Sequence, residues 1–220
     1  MFQLLKRLTA ALCVGCLLLT GCNASEEEQT VTEEKIEISE NSVYLAPEDP
    51  TAYMKTAYDE VSDALSASDE EAEAEALAKL FVADFFTLSN KTSDTDIGGL
   101  NYIPSDAYED MEVYARFYFY NNYSSIVAEY GEEQLPTVED VTVSDVQATQ
   151  ITYGDTTYDG YEVSVTITYG ETQAQDLKTS AVLSIAKMED YDHDTLTAIN
   201  NGELEEVPLP KTLMRVIALA

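Results

Sequence analysis

The hydrophobic spacing of this chain changes period once, at about Pro136, and that change restricts the fold more than any other feature. Before it, apolar residues recur three and four apart. Met54, Ala57, Tyr58, Val61, Ala64 and Leu65 form one such series, opened by Pro50-Thr51. Leu77, Leu80, Phe81, Phe85 and Leu88, with Asp84 among them, form a second, after Ser68-Asp69 and the acidic residues Glu70, Glu71 and Glu73, which suit the positive end of a helix dipole. Both predict helices with an apolar stripe, the second ending at Asn90.

A turn region follows from Lys91 to Tyr102, containing Gly98-Gly99 and closed by Pro104. Beyond it, a third helix is expected from Ala107 to Tyr130, stopped by Gly131. Its middle is aromatic, with Tyr114, Phe117, Tyr118, Phe119, Tyr120 and Tyr123. Consecutive aromatics cannot all face one core. Tyr114, Tyr118, Tyr120 and Tyr123 are therefore the candidate ligand-binding residues, their apolar bodies and polar tips suiting a peptide, protein or glycan.

After Pro136 the period becomes two. Val138, Val141, Val143 and Val146 lead to Ile151 and Tyr153, then to a turn at Gly154-Asp155. Tyr161, Val163, Val165, Ile167 and Tyr169 alternate with Glu162, Ser164, Thr166 and Thr168, and Ala181, Leu183 and Ile185 repeat the pattern. Three long antiparallel strands are expected, with Leu213, Val216, Ile217 and Ala220 forming a short closing helix or strand.

Helices followed by an antiparallel meander define an α+β domain, with N-terminal helices packed on a curved antiparallel sheet. Over residues 51–195 the order resembles the NTF2-like superfamily, in which a long helix packs into a strongly bent sheet. The Leu77 to Leu88 helix, the Gly98-Gly99 loop and the late strands carry the resemblance. It implies a pocket between helix and sheet that serves isomerases, hydratases and pure binding modules alike, so fold does not select among them. No catalytic residue is carried over, and no cofactor is expected.

The N-terminus carries an address. Lys6-Arg7 precede an apolar run from Leu8 to Thr20, about a dozen residues and short of the roughly 20 that span a bilayer. Its end, Leu19-Thr20-Gly21-Cys22, resembles the lipobox of bacterial lipoproteins. The resemblance implies removal of residues 1–21 as a signal peptide and a diacylglycerol on Cys22, holding the chain at the extracytoplasmic face of the cell membrane. Residues 22–50, rich in Glu, Ser and Thr, read as a disordered acidic tether, with an edge strand conceivable over Lys35 to Leu45, and residues 51–220 as a single α+β domain.

The formal charge is −31, from 42 acidic against 11 basic residues, and losing Lys6 and Arg7 makes it two units more negative. This charge disfavours nucleic acid or anionic lipid as a direct partner, and no nucleic acid is expected, since both depend on clustered Lys and Arg and none lies between Arg116 and Lys178. Cys13 and Cys16 fall in the signal segment and Cys22 takes the lipid, so disulfide, thiol-nucleophile and thiolate-metal chemistry are excluded. His193 is the one histidine. Around it, Asp190, Asp192 and Asp194 echo a calcium loop, but Thr195 and Asn201 stand where its glycine and closing glutamate belong, so a solvated turn is expected and no metal site. The function expected is a non-enzymatic binding or assembly module at the membrane, with a small-ligand enzyme or carrier using an NTF2-like pocket as the alternative and a weakly cation-binding surface protein as the third reading.

Overall fold

The computed structural model describes residues 36–220. Cys22, the signal segment and the first part of the expected tether lie outside the described residues. The domain is α+β: helices come first and a four-stranded, open, curved antiparallel sheet follows, consistent with the NTF2-like arrangement.

Helix α1 spans Ala52–Ala67 and α2 spans Glu70–Phe86. Thr51 caps α1 through a bond from the Met54 N–H, and Asp69 caps α2 through one from Ala72. Between the helices Ser68 adopts a left-handed conformation at φ 55°, which reverses the chain in two residues. The expected stripe on α2 is wider than its spacing indicates. Ala76 to Phe85 are buried with the sole exception of Lys79, because α1 lies on one side and β1, β2 and β4 on the other.

The single third helix expected over Ala107 to Tyr130 is two helices, α3 (Tyr108–Tyr118) and α4 (Tyr123–Tyr130). The break has a packing cause. Tyr120 turns fully inward, its hydroxyl donating to the Phe85 carbonyl at 2.8 Å and accepting from the Gly98 N–H at 3.0 Å. Phe119, next to it, lies edge-on to Phe85 and Phe86. One continuous helix could not aim neighbouring rings this way, and Asn121 closes α3 by bonding the Phe117 carbonyl.

Strands β1 (Val138–Tyr153), β2 (Thr156–Tyr169), β3 (Ser180–Asp190) and β4 (Lys211–Leu219) form an antiparallel meander in that order. The closing segment is thus a strand paired with β3. Register shifts at Val138/Asp140 and Val143/Asp145 bend β1. Gly160 lets β2 approach β3 closely, since a Cβ there would stand 2.1 Å from the Ile185 carbonyl oxygen. The inner face of the sheet is filled against α2 by Val163, Val165, Leu183 and Ile185, packed with Leu77 and Phe81.

Two further differences from the sequence reading concern the ends of the domain. The turn expected at the Asp/His cluster is a short helix, α5 (His193–Asn200), capped by Asp192. The tether expected to reach Pro50 is packed much earlier. Tyr44 is 2% exposed, and its hydroxyl accepts from the Met214 N–H of β4 and donates to Glu73 of α2. Asn41 folds this strap by accepting from the Val43 and Tyr44 N–H groups, and the Tyr58 hydroxyl ties both ends of the turn. The strap docks on the edge of β4 without forming the conceivable edge strand itself.

Candidate functional site

The four tyrosines proposed from sequence divide into two pairs. Tyr120 is 0% exposed, and Tyr123 is buried with its hydroxyl on the Lys91 carbonyl, so both serve the core. Tyr114 and Tyr118 remain exposed at 50% and 69%, their rings 4.6 Å apart on α3. Phe117, 68% exposed, and Val113 extend the same face. These side chains leave on the order of 400 Å² of mostly apolar surface in water, the size of patch that on monomeric proteins is commonly functional.

The patch borders a groove of about 160 Å³ between α3 and β4. Phe81 and Ile103 line it together with Met111 and Tyr114 of α3, and Val216 and Leu219 of β4. Tyr153, from the far end of β1, reaches it through a 2.6 Å bond from its hydroxyl to Asp106. Burial, followed by the hydrogen bond and charge of Asp106, pushes the Tyr153 hydroxyl well above its ordinary range, so it stays a donor at neutral pH. The groove therefore has apolar walls and one fixed polar anchor, the balance of a recognition surface.

Strand β4 ends the sheet, so one side of it has no strand neighbour. The Tyr44 hydroxyl occupies that side at Met214. Beyond it, Val216 to Leu219 run along the groove. The β4 wall was not foreseen, because Leu213 to Val216 are buried without alternation, which leaves periodicity unable to choose a strand.

The acidic cluster near His193 is dispersed among structural roles. Asp190 accepts from the Arg215 guanidinium at 2.8 Å and from Ser105, while Arg215 also donates to the carbonyls of Asn101 and Tyr191. Asp192 accepts from Thr195 at the start of α5; burial alone would raise its carboxyl, but these bonds outweigh it and hold the group below its ordinary value. Among the described residues no three His, Cys, Asp or Glu side chains group closely enough to hold a metal ion.

Beneath the Gly98-Gly99 loop lies a second charged element that the sequence did not reveal. Asp84 and Lys91 form a buried ion pair at 2.8 Å, and Asp84 also accepts from the Gly99 N–H at 2.7 Å. Gly98 sits so close to α2 that a Cβ would stand 2.1 Å from the Asp84 carbonyl oxygen. The pair fastens the end of α2 to the loop, and both carboxylate oxygens are engaged, which leaves no free base there. No helix among the described residues is long and apolar enough to cross a membrane. No family model matches this chain, and no curated protein or solved structure matches it.

Proposed function

We propose that this chain is a lipid-anchored extracytoplasmic binding module, without catalysis of its own, that holds an extended, basic and aliphatic segment of a protein partner in the groove between α3 and β4. The observation that carries the reading is the exposed aromatic face Tyr114-Phe117-Tyr118 beside an apolar groove bounded by a sheet edge. An added strand would find main-chain groups along β4 and pockets for alternate side chains at Met111 and Tyr114. Charge selects the partner. Glu109, Asp110 and Glu112 lie on α3, and the whole chain is strongly acidic, so a second copy of it is repelled and a basic segment is attracted.

The reading of the membrane address rests on the lipobox at Cys22 and the charged, apolar leader before it. The alternative of a small-ligand enzyme or carrier using a pocket inside the cone has less support, because large buried side chains occupy the space between α2 and the sheet.

The test is titration of the full-length chain with a synthetic peptide alternating lysine and valine, against its glutamate–valine counterpart. Saturable binding of the first alone is expected, weakened at least tenfold by Tyr114→Ser with Tyr118→Ser while the melting temperature is unchanged. Equal binding of both peptides, or indifference to the double substitution, overturns the proposal.

A further inference from the structure

An edge strand presents main-chain N–H and C=O groups to any passing strand, and folded proteins usually blunt it with a cover, a bulge or a charge. Strand β1 is the edge opposite β4, and its first half carries all three devices. The Tyr53 hydroxyl of α1 accepts from the Val141 N–H at 2.9 Å and donates to the Val141 carbonyl at 3.1 Å, filling the place of a neighbouring strand. Register shifts at Val138/Asp140 and Val143/Asp145 deform the ladder, and Glu139, Asp140 and Asp145 supply charge.

The second half carries none of them. Residues 146–154 include no charge and no proline, and the pairing with β2 runs without a shift from Asp145 to Tyr153. Residues 147–150 are exposed. Among the described residues, no group from outside the β1–β2 hairpin bonds to the main chain of residues 146–152. The bonds of Tyr53 show that Val141 turns its main-chain groups away from β2. Alternation, displaced once by the shift after Val143, then turns those of Val146, Ala148, Gln150 and Thr152 outward as well.

A second copy of the chain fits this edge. In an antiparallel pair with its two-fold axis at Thr149, Ala148 meets Gln150 and Val146 meets Thr152, so every outward-facing residue finds another. The charges agree with that pairing. Asp145, the nearest acid along the strand, falls opposite Tyr153 of the other copy, while a basic segment finds no carboxylate on residues 146–154 to select it. The strongly acidic chain repels its copies at a distance, but in about 150 mM salt that repulsion is screened beyond roughly 8 Å.

We propose that the chain forms a weak two-fold dimer through residues 146–152 of β1, joining two four-stranded sheets edge to edge, with Tyr53 marking where the pairing stops. Contact over so short a stretch is at the small end for interfaces, which makes the dimer a transient one. It uses the opposite edge of the sheet from the groove and does not rest on the function proposed for that groove.

The experiment is sedimentation equilibrium of the full-length chain, at protein concentrations up to about 1 mM, where weak association registers. A monomer–dimer equilibrium is expected that tightens as salt rises, opposite in sign to the attraction of a basic peptide. Thr149→Lys lowers the net negative charge yet sets two like charges face to face at the axis, so it weakens the dimer at least tenfold. Thr149→Glu does the same, and an equimolar mixture of the two variants restores association. Thr149 is exposed, so both variants keep the parent's melting temperature. The proposal is overturned by a monomer at every concentration, by a dimer that salt dissolves or that tolerates Thr149→Lys, or by a mixture no tighter than either variant alone.

Discussion

Replacing Lys91 by Met tests how the Gly98-Gly99 loop is held. Methionine keeps most of the aliphatic stem but removes the ammonium, leaving the Asp84 carboxylate in a site where its side chain is 6% exposed, with the Gly99 N–H as its remaining partner. Breaking one half of a buried pair costs about 3–5 kcal/mol, mostly from the charge left behind. For a domain of this size, at roughly 2–4 °C per kcal/mol, the melting temperature falls by about 6–20 °C. The chain has no tryptophan, so urea unfolding followed by far-ultraviolet circular dichroism is the suitable assay. Adding Asp84→Asn removes the stranded charge and keeps an acceptor for Gly99. The double variant is therefore expected to recover to within about 1–2 kcal/mol of the parent, its residual loss being the unpaired amide donors. A single variant within 1 kcal/mol of the parent, or a double variant no better than the single, refutes the reasoning.

Two other outcomes follow from features already described. Burial foremost raises the Glu73 carboxyl above its ordinary value, despite the bond from Tyr44 and the charge of Lys187. A carboxyl raised in the folded state favours folding while protonated, and that contribution is lost as pH climbs from the unfolded value through the folded one. Glu73→Gln keeps an acceptor for Tyr44, so its stability relative to the parent should improve as pH climbs above the ordinary carboxylate value; a parallel pair of stability curves contradicts this. At the other end of the chain, Cys22→Ala should leave the protein in the aqueous phase on detergent partitioning, and retention in the detergent phase rules out the lipid anchor.

The fold was legible wherever one period ran without interruption. The alternation from Tyr161 to Tyr169 appears as buried Val163, Val165 and Ile167 against exposed Glu162, Thr166 and Thr168. Thr51 and Asp69 cap the helices they announce. Long-range partners were not legible. Nothing local marks Tyr44, in an acidic stretch, as the residue that meets Met214, 170 positions away. Lys91 finds Asp84 only because the chain doubles back after α2. For the candidate site, the aromatic run was visible as a cluster, but its division into buried and exposed members depends on the break after Tyr118, which propensity does not set. The His193 cluster misled in a different way, since Asp192 at a helix start and Asp190 under Arg215 have the same local signature as a solvated turn.

The docking of the strap on β4 sets where mechanical load enters the domain. A pull arriving along the chain from the N-terminal side meets the Asn41 turn and the Tyr44 ring before it reaches α1, so the first bonds strained are those of Tyr58 and Met214. Those bonds tie α1 and the last strand together, elements from opposite ends of the domain. Tension is thereby shared between the helical layer and the sheet, and the Thr51 cap that begins the first helix is spared.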